Sequence, residues 1–248
     1  MAEGPRVFIG GATSAIAQAV GRRLAARGAR LFLVARDAGK LGMVESDLRA
    51  RGAKWIGCAI ADLEGIEGHD ALVARALEAM GGIEIALIAH GVLPDQAACE
   101  ANAQPMRAAI HANFVSAASL AGALARRLEG RGPATIAVIG SVAGDRGRRG
   151  NYVYGAAKGG LAIYLEGLRH RLHGCGVNVL TVKPGFVDTP MTSAFAKGPL
   201  WASPDRVARG IVRAIDRGSR VAYVPWFWRP IMGVIRAIPD RIFLRTRL

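Results

Sequence analysis

The stretch Arg6-Val7-Phe8-Ile9-Gly10-Gly11-Ala12-Thr13-Ser14-Ala15-Ile16-Ala17 decides the fold of this 248-residue chain. A short apolar strand leads into two glycines, and an apolar-periodic helix follows. A glycine turn lets the backbone approach a pyrophosphate, and the free N–H groups at a helix N-terminus favour an anion. The stretch predicts a dinucleotide site, although the stricter fingerprint has glycine where Ala15 and Ala17 stand. A tight strand-to-helix turn without a ligand is the alternative for this segment alone.

Outward from this stretch, apolar runs alternate with helical stretches along the chain. The strand-like runs are Val7–Ile9, Leu31–Ala35, Trp55–Ala59, Ile83–Ala89, Thr135–Ile139, Val177–Val182 and Arg220–Val224. This alternation predicts an α/β fold, a three-layer doubly wound parallel sheet (Rossmann fold) of about seven strands with helices on both faces. We expect one dinucleotide-binding domain over residues 1–225, followed by a basic, aromatic tail over 226–248 that forms no separate domain.

The spacing of Ser141, Tyr154 and Lys158 predicts chemistry at a carbonyl or alcohol carbon. Side chains four apart on a helix share one face, so Tyr154 and Lys158 should point into one pocket. A nearby cation favours the ionised phenol, which predicts a pKa for Tyr154 below the reference value of about 10. Ser141, thirteen residues before Tyr154 and at a strand end, can polarise a carbonyl in the same pocket. A tyrosine and a lysine at this spacing also occur as surface residues, but their place after a nucleotide-binding start favours catalysis.

These residues stand in the order found in the short-chain dehydrogenase/reductase family, which the chain resembles over nearly its whole length. The matching residues are Gly11, Ala15, Asp62, Ala89-His90-Gly91, Asn113, Ser141, Tyr154, Lys158 and Pro184-Gly185-Phe186-Val187-Asp188-Thr189. The chain departs from the family at Ala89-His90-Gly91, where an asparagine-rich turn is usual, and at Gly10, where threonine is common.

The resemblance implies an NAD(P)-dependent oxidoreductase acting on CH–OH groups. In its catalytic group Ser141 would stabilise the substrate oxygen and Tyr154 would be the general acid in reduction. Lys158 would hold the nicotinamide ribose and lower the pKa of Tyr154, while Asn113 would hold a water of the proton relay. Asp62 would meet the adenine and Thr189 the carboxamide. Cofactor contacts are implied for Gly11, Thr13, Ser14, Ala15, Ile16, Arg36, Asp62, Leu63, His90, Gly91, Tyr154, Lys158, Pro184, Val187 and Thr189.

The end of the second strand bears on the choice of cofactor. An acidic side chain there would accept the ribose hydroxyls of NAD, whereas an arginine accommodates a 2′-phosphate. The chain reads Val34-Ala35-Arg36-Asp37, with alanine at the strand end and Arg36 directly after it. This favours NADPH, and Asp37 one step later keeps NADH possible.

Composition excludes several other classes of protein. Lysine and arginine number 33 against 19 acids, a net charge of +14, but no nucleic-acid-binding motif accompanies them. Cys58, Cys99 and Cys175 are not spaced for a metal and suit a reducing compartment. His170 and His173 lack a third ligand, so no metal is expected. Residues 1–6 lead directly into the first strand without a signal peptide, which predicts a cytoplasmic protein.

The run from Ala108 to Ala125 carries no charged residue over eighteen positions. The run is alanine-rich, and His111, Asn113, Ser116 and Ser119 interrupt it, which argues against a membrane span. We expect a buried core helix that carries Asn113.

Two arginine-containing segments indicate something more particular. Asp145-Arg146-Gly147-Arg148-Arg149-Gly150 lies between Ser141 and Tyr154, and arginine forks suit phosphate, with a solvent-facing turn as the alternative. The tail joins Trp226-Phe227-Trp228 to apolar residues, which suits a segment lying on anionic lipid. The alternative is a tail that packs on the domain or across a subunit interface. The tail arginines are Arg229, Arg236, Arg241, Arg245 and Arg247.

These two segments resemble one subfamily, the decaprenylphosphoryl-2-keto-β-D-erythro-pentose reductases, which act beside a flavin oxidase in forming a cell-wall arabinose donor. The resemblance rests on Gly10–Ser14, on Arg148-Arg149 as substrate residues, and on the tail from Val234 to Phe243. It implies reduction of a polyprenyl-phosphate-linked keto-pentose, peripheral contact with the inner face of the membrane, and a homo-oligomer. A ketone or 3-oxoacyl reductase of other substrate and a non-enzymatic dinucleotide sensor are the alternatives.

Overall fold

The computed structural model describes residues 4–246, and within them seven parallel strands form one sheet in the order β3-β2-β1-β4-β5-β6-β7. The strands are β1 (Arg6–Gly10), β2 (Arg30–Ala35), β3 (Trp55–Ile60), β4 (Ile85–Ile88), β5 (Ala134–Ile139), β6 (Val177–Pro184) and β7 (Val221–Val224). The helices are α1 (Ala15–Ala25), α2 (Ala38–Ala50), α3 (His69–Met80), α4 (Gln96–Ala101), α5 (Ala103–Ile110), α6 (Ser116–Leu128), α7 (Tyr152–Arg171), α8 (Pro204–Asp216), α9 (Trp228–Ala237) and α10 (Asp240–Phe243). The predicted doubly wound parallel sheet is confirmed. Arg247, which the sequence places among the tail arginines, lies outside the described residues, as does the start of the chain before Gly4.

Helices cover both faces of the sheet, which explains why its strands read as apolar runs rather than as alternating patterns. Neighbouring residues of β1 point to opposite faces, with Ile9 in one core and Phe8 in the other. The first core is closed by α1, α2 and α8, and the second by α3, α6 and α7. Both residues are essentially inaccessible to water.

The order of the strands places the crevice. The chain moves outward from β1 through β2 and β3, and then returns to pair β4 with the other side of β1. Loops that follow the two central strands therefore diverge and leave an opening at the carboxyl edge of the sheet.

One helical stretch, Ala103–Leu128, is long and apolar enough to cross a membrane, but 67% of its apolar window is buried inside the protein. It joins α5 and α6 through a wide π-helical turn at His111–Val115. The expectation of a core helix agrees with this burial.

The C-terminal segment follows β7 as α9 and α10. Trp228 and Met232 on the inner side of α9 are buried and pack with Val142. One side of the segment is therefore part of the folded domain.

Candidate active site

A cleft of about 380 Å³ opens at the carboxyl ends of β1, β4, β5 and β6. It brings together most of the residues that the sequence singles out. Those lining it are Thr13, Ser14, Ala15, Ile16, His90, Gly91, Asn113, Ser141, Arg148, Tyr154, Lys158, Pro184, Val187 and Thr189. Gly11, Arg36, Asp62, Leu63 and Arg149 do not line this cleft.

Backbone packing places Ser141 beside the start of α7. The short turn Val142–Asp145 follows Ser141 and lies directly against α7. A Cβ on Gly144 would come 2.6 Å from the amide nitrogen of Gly159, so only glycine permits this approach. The Ser141 Oγ accepts a hydrogen bond from the Ala143 amide at 3.1 Å, and its own proton can be donated to Tyr154 or to a substrate oxygen.

Burial dominates the pKa values of the catalytic pair. It raises the pKa of Tyr154 to about 12, and a hydrogen bond with Ser141 opposes this only in part. Burial also lowers the pKa of Lys158 to about 8. The expected lowering of the Tyr154 pKa by Lys158 is not found. The ammonium lies 5.8 Å from the centre of the tyrosine ring and donates to the carbonyl oxygen of Ile139 at 3.1 Å.

The side chain of Asn113 is fully buried inside the π-helical turn. Its Nδ2 donates to the carbonyl oxygens of Val92 and Ala109, both at 2.9 Å, and its Oδ1 accepts from the Val92 amide at 3.1 Å. Asn113 thereby fixes the segment after β4. Wide helical turns of this kind are frequent at functional sites.

The side chain of His90 has a structural role in the site. Its Nε2 lies 2.7 Å from the Ser116 Oγ, and that hydroxyl donates its proton to the carbonyl oxygen of Leu63. The histidine must therefore donate from Nε2. Burial lowers the pKa of His90 to about 3, so the ring is neutral at pH 7. The chain of hydrogen bonds holds the segment after β3, where Asp62 is exposed.

The helix start after β1 has the features of an anion site. Gly11 has a φ of +78°, and a Cβ there would lie 2.6 Å from the His90 amide nitrogen. The Ser14 Oγ caps α1 by accepting from the Ala17 amide at 3.1 Å, and the first turn of α1 holds no acidic residue. Its free N–H groups lie beside the cleft and suit a pyrophosphate.

Arg36 and Asp37 have different surroundings after β2. The side chain of Arg36 is exposed, and its nearest carboxylate, Glu64, is 3.9 Å away. Asp37 caps α2 by accepting from the Lys40 amide at 2.9 Å, and this hydrogen bond lowers its pKa. The carboxylate is thus engaged in a helix cap, whereas the guanidinium is nearly unengaged.

The arginines of the loop between Ser141 and Tyr154 separate into three environments. Arg148 is half-buried in the cleft wall, burial lowers its pKa, and its Nε has no hydrogen-bond partner within residues 4–246. Arg149 is exposed and lies away from the cleft. Arg146 turns to the C-terminal segment, so it is not available to a substrate.

Arg146 ties this loop to the C-terminal segment. Its Nη1 donates to the carbonyl oxygens of Ile235 and Ile238, both at 2.6 Å, and its Nη2 donates to Asp240 at 2.8 Å. The guanidinium lies 3.8 Å from the centre of the Phe243 ring. Arg146 therefore supplies donors to carbonyl oxygens at the C-terminus of α9 and adds positive charge there.

The neighbouring Asp145 fastens the same loop to the sheet. Its buried carboxylate accepts from Lys183 Nζ and, at 2.8 Å, from Tyr223 Oη. Two adjacent side chains thus anchor one loop to β6, β7 and α9.

The apolar mouth of the cleft was not among the features predicted from the sequence. Phe186, Met191, Phe195 and Trp201 line it, and Phe186 is 5.5 Å from Trp201 and 5.3 Å from Trp228 between ring centres. The usable signal was the number of aromatic residues in a segment without regular structure. Among the described residues, no group of three or more His, Cys, Asp or Glu is arranged to hold a metal.

The parallel sheet has a capped helix start at its crevice, and Ser141, Tyr154 and Lys158 lie in the same cleft. Together these features define a nicotinamide-dependent oxidoreductase. A family model described as short chain dehydrogenase matches residues 5–199. The chain belongs to the short-chain dehydrogenase family.

Two relatives and two solved structures illustrate the similarity. An uncharacterized oxidoreductase of Mycobacterium tuberculosis is 40% identical over 239 residues, covering 96% of each chain. The granaticin polyketide synthase putative ketoacyl reductase 1 of Streptomyces violaceoruber is 34% identical over 195 residues, covering 75% of this chain and 69% of the relative.

The structures support the fold. A variant of actinorhodin polyketide ketoreductase with NADPH has a TM-score of 0.79 at 22% identity, covering 89% of this chain and 94% of the other. A short-chain dehydrogenase from Mycobacterium paratuberculosis bound to NAD has a TM-score of 0.78 at 20% identity, covering 90% and 97%.

Proposed function

We propose that this protein reduces a ketone to a secondary alcohol, with NADPH as the preferred cofactor. The observation that carries the proposal is the meeting of Ser141, Tyr154 and Lys158 in one cleft beside the start of α1. A nicotinamide bound there supplies a hydride to the carbonyl carbon. The protein's own residues must orient the carbonyl and deliver one proton to its oxygen.

Tyr154 can deliver that proton because its phenol is protonated at neutral pH. Ser141 and Tyr154 can donate to the same carbonyl oxygen, and such bonds strengthen as negative charge develops on it. Lys158, with a pKa of about 8, is mostly an ammonium at pH 7 and would hold the ribose hydroxyls. Asn113 would position the water through which the proton is replaced.

The surroundings of Arg36 and Asp37 support the preference for NADPH. An exposed guanidinium with only a distant carboxylate partner can bind the 2′-phosphate that distinguishes NADPH from NADH. Asp37, which could accept the ribose hydroxyls of NADH, is engaged in capping α2. Asp62 and Leu63 would border the adenine, and Pro184, Val187 and Thr189 the nicotinamide.

Arg148 supports an anionic substrate. A half-buried guanidinium without an acidic partner in residues 4–246 gains most from a phosphate or carboxylate that enters the cleft. The apolar side chains at the mouth suit a hydrocarbon group on the same molecule. A polyprenyl-phosphate-linked 2-keto-pentose combines both features and is our first candidate. Arg149, which does not line the cleft, would contribute little to this site.

A 3-oxoacyl thioester is the second candidate. The relative from Streptomyces violaceoruber is described as a putative ketoacyl reductase, and the apolar mouth suits an acyl chain equally well. This substrate would need no polyprenyl group.

Partners follow from the first candidate. A 2-keto-pentose would be produced by oxidation of the 2-hydroxyl group of the linked pentose, a step suited to a flavin oxidase acting upstream. A homo-oligomer through the outer side of α7, where Ile163 is exposed, and peripheral contact with a membrane complete the proposal.

The test is cofactor oxidation with a polyprenyl-phosphoryl 2-keto-pentose, a 3-oxoacyl thioester and an uncharged short ketone, each with NADPH and NADH. We expect turnover of the first substrate with NADPH. Arg148→Ala should raise the KM of that substrate about 10- to 100-fold, since charge-assisted hydrogen bonds contribute about 1.5–3 kcal/mol. Arg149→Ala is the matched control at the exposed neighbouring position and should change KM little.

Turnover of the thioester or the short ketone alone would exclude the lipid-linked substrate but would leave the proposed reductase activity in place. If both arginine variants changed KM equally, Arg148 would have no specific role in substrate binding. Equal efficiency with NADH would contradict the cofactor preference.

A further inference from the structure

The C-terminal segment has a solvent-facing surface that the proposed reaction does not use. We call this surface the outer face. It consists of Trp226, Pro230, Gly233, Val234, Ala237, Ile242 and Leu244, with Arg229, Arg236, Arg241 and Arg245 around it.

Both sides of α9 are apolar, which is unusual for a helix at the surface. Trp228 and Met232 fill its inner side together with the partly buried Ile231 and Ile235. The opposite side carries Pro230, Gly233, Val234 and Ala237, all exposed and all without charge. A surface helix that packs on one side normally presents polar residues on the other.

Exposed apolar side chains are concentrated in the C-terminal segment and at the mouth of the cleft. Trp226 is 76% exposed, Val234 67%, Ile242 58% and Leu244 83%. Of the fifteen large exposed hydrophobic side chains within residues 4–246, eight belong either to this segment or to residues 186–200 at the mouth. Grouped exposure of this kind marks a binding surface, whereas single exposed side chains do not.

The charges around the outer face are positive. Arg229, Arg236, Arg241 and Arg245 are exposed and form no ion pair with any described residue. Asp240 is the sole acid of residues 226–246, and it is paired with Arg146. The surface therefore combines apolar anchors with uncompensated cations.

We propose that the outer face docks on a bilayer that contains anionic lipids, with α9 lying in the plane of the interface. Aromatic and aliphatic side chains would enter the headgroup region, and the arginines would meet lipid phosphates. The cleft lies alongside, because Trp228 on the inner side of α9 contacts Phe186 at the mouth. This step rests on the proposed function in one respect, namely that the substrate has an apolar group that the bilayer can deliver.

The test measures binding of the full chain to vesicles of phosphatidylcholine with and without phosphatidylglycerol, at low and high salt. We expect binding to the anionic vesicles and its weakening by salt. Replacing both Arg229 and Arg236 by glutamine should reduce binding roughly tenfold or more, because each surface arginine contributes about fivefold. Val234→Glu should have a similar effect. Met43→Glu, at an exposed apolar residue of α2, is the matched control and should not change binding.

Reduction of an uncharged short ketone and molar mass by light scattering are measured on the same variants. Vesicle binding lost in Val234→Glu with short-ketone reduction retained supports the proposal. If the wild type reduces the ketone but does not bind vesicles, the docking proposal is wrong and the reductase proposal stands. If it binds vesicles but reduces no ketone, the reductase proposal is wrong and the docking proposal stands. A wild-type dimer that Val234→Glu dissociates, without vesicle binding, assigns the outer face to a second copy and overturns the proposal.

Discussion

The cofactor side and the substrate side of the cleft are built differently. On the cofactor side, Ser14 and Asp37 each cap a helix through a hydrogen bond that spans three residues of sequence. On the substrate side, the loop after Ser141 is held by Asp145 and Arg146, whose partners Tyr223 and Asp240 are 78 and 94 residues away. The first half is organised by local backbone geometry, and the second by contacts between distant parts of the chain. Substitutions should therefore separate cofactor binding from substrate turnover.

The largest effect is expected where the two halves meet. Tyr154→Phe should lower kcat by about 10²–10⁴-fold, since it removes the positioned proton donor. The dissociation constant of NADPH, measured by fluorescence titration, should stay nearly unchanged. Full activity in this variant would show that another group is the acid.

On the cofactor side, a substitution at Gly11 should weaken cofactor binding. Gly11→Ala places a Cβ against the His90 backbone in a left-handed conformation, and strain of this kind costs about 1–3 kcal/mol. We expect the dissociation constant of NADPH to rise about tenfold or more. Gly42→Ala, where a Cβ meets nothing within 4 Å, is the control and should leave binding unchanged. Equal binding by both variants would mean that the turn after β1 does not hold the cofactor.

On the substrate side, a substitution at Arg146 should lower kcat. Arg146→Ala removes the link between the loop after Ser141 and α9. Small displacements of catalytic groups can lower the rate about 10²-fold. We expect kcat to fall about 10- to 100-fold while the dissociation constant of NADPH stays within about threefold. Arg146→Lys keeps the charge but not the fork and should recover part of kcat. A variant that loses thermal stability but keeps wild-type kcat would reduce Arg146 to a purely structural role.

Lys158 and Tyr154 should make both the stability and the reaction rate depend on pH. The pKa of Lys158 is about 8 in the folded protein against 10.5 for the free side chain, so the unfolded chain binds more protons between these values. The free energy of unfolding should then gain a rising contribution from about pH 8 to 10.5 that is absent in Lys158→Met. Tyr154, with a pKa of about 12 against 10.0, should contribute a fall above pH 10.

The rate of ketone reduction should decline as pH rises through about 8, because Lys158 loses its ammonium there. Urea unfolding curves and kcat/KM measured across this range check both expectations. A flat rate profile up to pH 10 would contradict the required ammonium.

The smallest effect should come from Asp240, which also pairs with Arg146. Its side chain is 91% exposed, and exposed ion pairs contribute about 0–1 kcal/mol. Asp240→Ala should lower thermal stability slightly and leave kcat unchanged, because Arg146 retains its bonds to the Ile235 and Ile238 carbonyls. If Asp240→Ala lowered kcat as much as Arg146→Ala, the contact of Arg146 that matters for catalysis would be the Asp240 carboxylate and not the backbone carbonyls.

Much of the architecture was predictable because its signals are local. Apolar runs mark the strands, Gly11 marks a turn that requires positive φ, and the four-residue spacing of Tyr154 and Lys158 places both on one side of α7. These features depend on neighbours within a few residues, so the order of amino acids by itself determined the parallel sheet and the position of its cleft.

Only the tertiary structure decided the properties that depend on surroundings. Spacing predicted a lowered pKa for Tyr154, but burial raises it instead, and the Lys158 ammonium donates to the carbonyl oxygen of Ile139. Three similar arginines separated into a C-terminal anchor, a cleft residue and an exposed residue because α9 returns to the loop after Ser141. Desolvation and long-range hydrogen bonds depend on which distant segments fold together, and that information is not carried by any single stretch of sequence.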